Sequence, residues 1–108
     1  MMEGISVREM QERASECAEA HGWWDDPPNE ATSIALMHSE LSEALEAIRK
    51  PPVVPHVMGL DPVAEEMADV VIRVMDYCAH HGIDLQDAIL RKMEFNELRE
   101  HKHGGKAF

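Results

Sequence analysis

One stretch, residues 61–82, most constrains what this chain can fold into. It opens with Asp61-Pro62, an acid suited to cap a helix followed by a proline suited to the first turn, and it closes with Gly82. Apolar residues cover most of the helical circumference in between, which predicts a central, buried helix running to about His81. One stripe of this helix is nevertheless polar, and it consists of Glu66, Asp69, Arg73, Asp76 and His80.

Charged side chains on a buried helix are costly unless they are paired or bind a metal ion. One interpretation of the stripe is a salt-bridge ladder in which Asp69 and Asp76 flank Arg73. The other is a metal site completed by acids from another helix. We expect both, at different ends of the stripe.

Three further helical segments predict an all-α, four-helix, bundle-like fold. The first has a capping-box start at Ser6 and extends to about Ala20. The second begins within residues 29–32 and ends at Lys50, because two prolines follow. The fourth follows Asp84. Its apolar residues, which we expect to point inward, are Leu85, Ala88, Ile89, Met93 and Leu98.

Length and charge limit the function. The 108 residues predict a single domain, 1–108, in which 100–108 form a flexible tail. The net charge of −11 argues against nucleic-acid binding, and no apolar run is long enough for a membrane span. The N-terminus has no secretory pattern, so we expect a cytoplasmic protein with Cys17 and Cys78 reduced and largely buried. The loop 51–60 is compatible with either an ordered segment or a lid.

Two pairs of acids suggest a metal site. Glu40 and Glu43 lie three residues apart on the second helix, and Glu66 and Asp69 lie three apart on the third, so each pair shares a helix face. A row of acids is usually a solvated surface. Four carboxylates that met between two helices would instead repel one another unless a cation lay among them, and Mg²⁺ suits such oxygen ligands.

Two other groups could contact a nucleotide. Lys92, Asn96 and Arg99 share one face of the fourth helix and suit phosphate oxygens, although a solvated face explains each of them singly. Trp23 and Trp24 are adjacent in a loop. They either close the end of the bundle or offer a stacking surface for a base.

These motifs together resemble the all-α nucleoside triphosphate pyrophosphohydrolases, the MazG-like superfamily. Residues 40–43 resemble the family's Glu-x-x-Glu motif, and residues 65–70 resemble its Glu-Glu-x-Gly/Ala-Asp run. Residues 92–99 resemble its Lys-x-x-x-Asn-x-x-Arg segment, and residues 103–106 resemble its tail. The order and spacing agree over nearly the whole chain.

The resemblance implies Mg²⁺-dependent hydrolysis of a nucleoside triphosphate to the monophosphate and pyrophosphate, with Mn²⁺ as a possible substitute, in the removal of unwanted nucleotides. It also implies a homodimer or homotetramer. The implied catalytic and metal-binding residues are Glu40, Glu43, Glu66 and Asp69. The implied phosphate contacts are Lys92, Asn96 and Arg99, and the implied base or sugar pocket is Trp23, Trp24 and Asp76.

The chain departs from the family pattern at two positions. Many relatives have a further Glu directly before the first motif acid, where this chain has Ser39, which leaves the water-activating base open. Relatives often have Asn seven residues after the motif Asp, where this chain has Asp76. Two other functions stay open, namely phosphoribosyl-ATP hydrolysis and a non-catalytic module whose acidic face binds a partner.

Overall fold

The computed structural model describes residues 4–51 and 56–99 and contains four α-helices in that part of the chain. They are α1 (Val7–Ala20), α2 (Glu30–Arg49), α3 (Pro62–His80) and α4 (Leu85–Glu97). The described residues contain no strand, so the prediction of an all-α, four-helix fold is confirmed. The predicted tail 100–108 and part of the predicted loop, residues 52–55, lie outside the described residues.

Local capping sets where each helix begins. The Ser6 hydroxyl accepts from the Glu9 backbone N–H at 3.1 Å while the Glu9 carboxylate accepts from the backbone N–H of Ser6, which completes the predicted capping box. The three other N-caps are Asn29, Asp61 and Asp84, each accepting from a backbone N–H in the first turn. Gly82, just after α3, has φ +66°, a conformation that favours glycine.

α3 lies at the centre and packs against both α1 and α2. In the part of the chain that the structure describes, few apolar residues are buried, namely Ala18, Ala44, Ala47, Met75 and Cys78. The predicted central position is confirmed, but the predicted burial around most of α3 is wrong, because Met67, Val71 and Ile72 are exposed. Of these three, Ile72 borders an apolar cavity of about 580 Å³ that residues of α1 and α3 line.

α4 differs from its prediction. It contains no buried residue, so the expected inward face is wrong, and Met93 is 55% exposed. The helix is held mainly by its start. Gln11 of α1 donates to the Ile83 carbonyl at 2.7 Å and accepts from the Leu85 N–H at 3.2 Å. Arg8 pairs with the N-cap Asp84 at 2.8 Å.

The two cysteines have different environments. Cys78 is buried on α3, as expected, and burial raises the pKa of its thiol. Cys17 is exposed on α1, so the expectation of two largely buried thiols is wrong for this residue. No helix in the described ranges combines the length and the apolar character needed to cross a membrane.

Candidate metal centre and adjoining cavity

Three of the predicted acids meet where α2 packs against α3. Glu40, Glu43 and Glu66 each place one carboxylate oxygen so that all three oxygens lie within 4.8 Å of one another. We call these three residues the acidic cluster. The spacing of three puts Glu40 and Glu43 on one face of α2, and the packing of the two helices brings Glu66 to that face.

The carboxylates of the cluster interact strongly with one another. The pKa of Glu43 is raised, chiefly by its hydrogen bond with Glu40 and by the negative charge of that residue, with smaller effects from burial and from Glu66. Carboxylates this close repel one another, and a cation bound among them would relieve that repulsion.

One carboxylate oxygen of Glu66 has no hydrogen-bond partner among residues 4–51 and 56–99. Oε2 of Glu66 is buried and makes no hydrogen bond. A buried carboxylate oxygen without a donor is costly, and a divalent cation would satisfy it. Hard carboxylate oxygens at this spacing are the donors that Mg²⁺ and Mn²⁺ prefer. The residues of the acidic cluster therefore fit such an ion.

The fourth predicted ligand lies at the edge of this arrangement. Asp69 is exposed on α3, one turn after Glu66. Within the described ranges, the carboxylates that converge closely are those of Glu40, Glu43 and Glu66. The structure thus brings together three of the four predicted ligands and leaves Asp69 beside them on the surface.

Arg73 has a different partner from the one predicted. Its Nε donates to Oε1 of Glu40 at 2.8 Å, and the Glu40 side chain is only 15% exposed. The prediction of a ladder along α3, with Asp69 and Asp76 flanking Arg73, is therefore wrong for this arginine, because the α2 carboxylate lies closer. The Arg73 guanidinium carbon also lies 5.4 Å from the ring centroid of Trp23. Arg73 thus connects the acidic cluster to the aromatic loop.

A cavity of about 290 Å³ adjoins Arg73. The residues of the predicted base or sugar pocket, Trp23, Trp24 and Asp76, all line it. Its other lining residues are Pro28, Ser33, Leu36, Met37, Arg73 and Tyr77. The structure therefore brings the adjacent tryptophans and Asp76 to one concave, largely apolar site.

Hydrogen bonds hold Asp76 in one orientation. The Trp24 indole Nε1–H donates to both carboxylate oxygens of Asp76, each at 3.0 Å. Trp24 stacks on His80, with ring centroids 3.7 Å apart, and His80 Nδ1 lies 3.1 Å from Asp76 Oδ1. Burial raises the pKa of Asp76, while the Trp24 hydrogen bond and His80 act in the opposite direction.

The predicted phosphate contacts lie on a separate element. Lys92 and Asn96 are exposed on α4, Arg99 is half-buried just after it, and both cations lie over the ring of Phe95. α4 packs chiefly on α1, whereas the acidic cluster belongs to α2 and α3. In the described part of one chain, no hydrogen bond or ion pair joins these three residues to the cluster.

Sequence reasoning missed the role of Glu65. Its side chain is buried and accepts a hydrogen bond from the Val57 N–H, and His56 Nδ1 lies 3.8 Å from its other oxygen. Glu65 therefore fastens the segment before α3, while its neighbour Glu66 joins the acidic cluster. Successive residues of a helix are rotated by about 100° around its axis, so Glu65 and Glu66 face different surroundings. This rotation is the feature of the sequence that could have indicated a separate role for Glu65.

Comparisons of the chain with family models, with curated proteins and with solved structures found no significant match.

Proposed function

We propose that this chain is a nucleoside triphosphate pyrophosphohydrolase of the MazG-like kind, dependent on Mg²⁺ or Mn²⁺. It would convert a nucleoside triphosphate to the monophosphate and pyrophosphate. The observation that carries this proposal is the convergence of Glu40, Glu43 and Glu66 beside a cavity that contains both tryptophans. An acidic cluster and an aromatic cavity joined by Arg73 suit a triphosphate and a base on one ligand.

The acids would hold the divalent ion, which supplies charge neutralisation at the phosphates and polarises a phosphoryl oxygen. Glu40 and Glu66 are the more enclosed ligands, and Asp69 is near enough in sequence to join them. Arg73 fixes the Glu40 carboxylate by its 2.8 Å hydrogen bond. This hydrogen bond would keep the Glu40 carboxylate oriented towards Glu43 and Glu66.

Glu43 is our candidate for the water-activating base. It is the most exposed member of the acidic cluster, so water can reach its carboxylate while Glu40 and Glu66 hold the ion. Glu43 would take a proton from water while the water oxygen bonds to the α-phosphorus and the bond from that phosphorus to the pyrophosphate oxygen breaks.

A second copy of the chain would complete the assembly. α4 exposes Leu90, Met93 and Phe95 together with the cations Lys92 and Arg99. The exposed apolar residues and cations of α4 complement in kind the exposed apolar residues and acids of α2, among them Leu41, Leu45 and Glu43. We therefore include in the proposal a homodimer or homotetramer in which α4 of one copy brings its cations towards the acidic cluster of another.

A pyrophosphate-release screen tests the activity. The panel contains canonical and modified nucleoside triphosphates and phosphoribosyl-ATP, each with Mg²⁺ and with Mn²⁺. We expect Glu40→Gln and Glu66→Gln to lower kcat/KM about a hundredfold or more with the fold intact, as is typical when an electrostatic group of an active site is removed. The matched control, Glu16→Gln, makes the same change at an exposed position on α1.

Two results would contradict the proposal. One is unchanged turnover in both Glu40→Gln and Glu66→Gln. The other is the absence of pyrophosphate release from every substrate with either metal ion. Loss of binding to a protein partner in the same variants, without any metal dependence, would favour an acidic interaction module instead.

A further inference from the structure

The walls of the 290 Å³ cavity suit a flat ring. Trp23, Trp24 and Tyr77 supply aromatic surface, and Leu36 and Met37 supply aliphatic surface. Trp24 cannot rotate freely, because its ring stacks on His80 at 3.7 Å and its N–H is bound to Asp76. A fixed indole at an apolar cavity is a good stacking partner for a nucleobase.

Asp76 provides the polar group that can distinguish one base from another. Its side chain is 13% exposed and lines the cavity. A carboxylate has about four acceptor positions and, when ionised, no donor. Oδ1 is near both Trp24 Nε1 and His80 Nδ1, whereas Oδ2 has Trp24 Nε1 as its partner among the described residues. Oδ2 therefore retains the capacity to accept a hydrogen bond from a ligand.

We infer that Asp76 selects bases that carry an exocyclic amino group, as cytosine, adenine and guanine do, over uracil and thymine. The amino group would donate to Asp76 Oδ2 while the ring stacks on the tryptophans. Uracil and thymine present a carbonyl oxygen at the corresponding position, for which an ionised Asp76 has no donor. A site that accepts a hydrogen bond from a ligand disfavours an analogue that lacks the donor at that position. This inference rests on the proposed function, since it assigns the substrate class of the same site.

Binding of nucleoside monophosphates tests the inference without requiring hydrolysis. The chain contains two tryptophans, both of which line the cavity, so a base that stacks there should quench their fluorescence. Cytidine and uridine monophosphates differ only in the base. We expect the cytidine compound to bind about tenfold or more tightly, as a hydrogen bond to a charged group implies. N4,N4-dimethylcytidine monophosphate, which has no amino N–H, should bind like the uridine compound.

Asp76→Asn is the protein-side test. The amide keeps the shape of the side chain and an oxygen that can accept from Trp24, but it can also turn a donor towards a carbonyl. We expect the affinities for cytidine and uridine monophosphates to come within about twofold of each other, because the amide can serve either base. Asp87→Asn, an exposed position on α4, removes the same charge away from the cavity and should leave the preference unchanged.

Three results would overturn the inference. The first is equal affinity of the unmodified protein for cytidine and uridine monophosphates, and the second is binding of the dimethylated compound as tight as that of cytidine monophosphate. The third is the absence of quenching by any monophosphate at millimolar concentration. The proposed function fails separately. Pyrophosphate release that is equally fast from uridine and cytidine triphosphates would overturn the base selection and leave the activity standing. Selective binding of amino-bearing bases without hydrolysis of any triphosphate would overturn the proposed activity and leave the base selection standing.

Discussion

α3 and α4 both carry many apolar residues, yet only α3 buries any of them. α3 packs against two helices and buries Met75 and Cys78. α4 buries nothing and is held at its first turn by Gln11 and Arg8. An apolar sequence pattern predicts a surface whose burial is favourable, but it does not determine whether the same chain or another molecule buries that surface.

The difference in packing between α3 and α4 also separates the acidic cluster and aromatic cavity from the predicted phosphate contacts. The acids and the aromatic cavity lie on the packed side of the molecule, where α2, α3 and the loop after α1 fix them. The predicted phosphate contacts lie on or beside the helix that has the fewest internal contacts. In our proposal this division has a physical reason, since the cations on α4 would act on the acidic cluster of another copy.

Replacing one methionine in each helix should give the largest contrast. Met75 is 6% exposed, whereas Met93 is 55% exposed. We expect Met75→Ala to lower the free energy of unfolding by about 2–5 kcal/mol, because it removes buried contacts and leaves a cavity. Met93→Ala should change it by less than about 0.5 kcal/mol in dilute protein. Urea unfolding followed by circular dichroism measures both.

Similar decreases in the free energy of unfolding in Met75→Ala and Met93→Ala would show that α4 is packed more tightly than the exposure of Met93 implies. A loss in Met93→Ala that grows with protein concentration has a different meaning. It would show that a second copy buries this part of α4, since an interface stabilises the folded state by mass action.

The same contrast explains what could be predicted from the sequence. Helix starts at Ser6 and Asp61 could be predicted because each cap bonds to a backbone group within three residues. The shared helix face of Glu40 and Glu43 could be predicted from their spacing, and their meeting with Glu66 was expected only on the assumption that the two acid-bearing helices pack together. The partner of Arg73 could not, because Glu40 lies 33 residues away on another helix. The exposure of Met93 depends on which molecule covers α4, and no local pattern contains that information.

The exposed face of α4 should be sensitive to a single added charge. Leu90 is 58% exposed on α4. If another copy covers it, Leu90→Lys must bury an ammonium group in an apolar contact, and we expect the dissociation constant of the assembly to rise about tenfold or more, which corresponds to about 1.4 kcal/mol. Sedimentation equilibrium over a range of concentrations measures this change.

Ala20→Lys is the matched control, because it adds the same charge at an exposed position at the end of α1. Its dissociation constant should stay near that of the unmodified chain. A protein that is monomeric at every concentration, before any substitution, would contradict the assembly outright. Assemblies that tolerate Leu90→Lys would place the interface on another surface.

The smallest expected effect concerns the ion pair that ties α4 to α1. The Arg8 guanidinium lies 2.8 Å from Asp84 and holds the pKa of that carboxyl below its usual range, mainly through its hydrogen bond, with help from the backbone N–H of Asp87. Because the pKa is lower in the folded state, the pair stabilises the fold above the ordinary carboxyl pKa, and this contribution disappears as the pH falls through the folded value.

Asp84→Asn preserves the N-cap, since asparagine caps as well as aspartate, and removes only the charge. At neutral pH the variant should unfold at a slightly lower urea concentration than the unmodified chain, and the gap should close in acid and in high salt, because exposed pairs are screened. A gap that stayed constant across pH would mean that Arg8 holds α4 through its backbone N–H, which donates to Gln86 at 3.0 Å, and that the charge pair adds nothing.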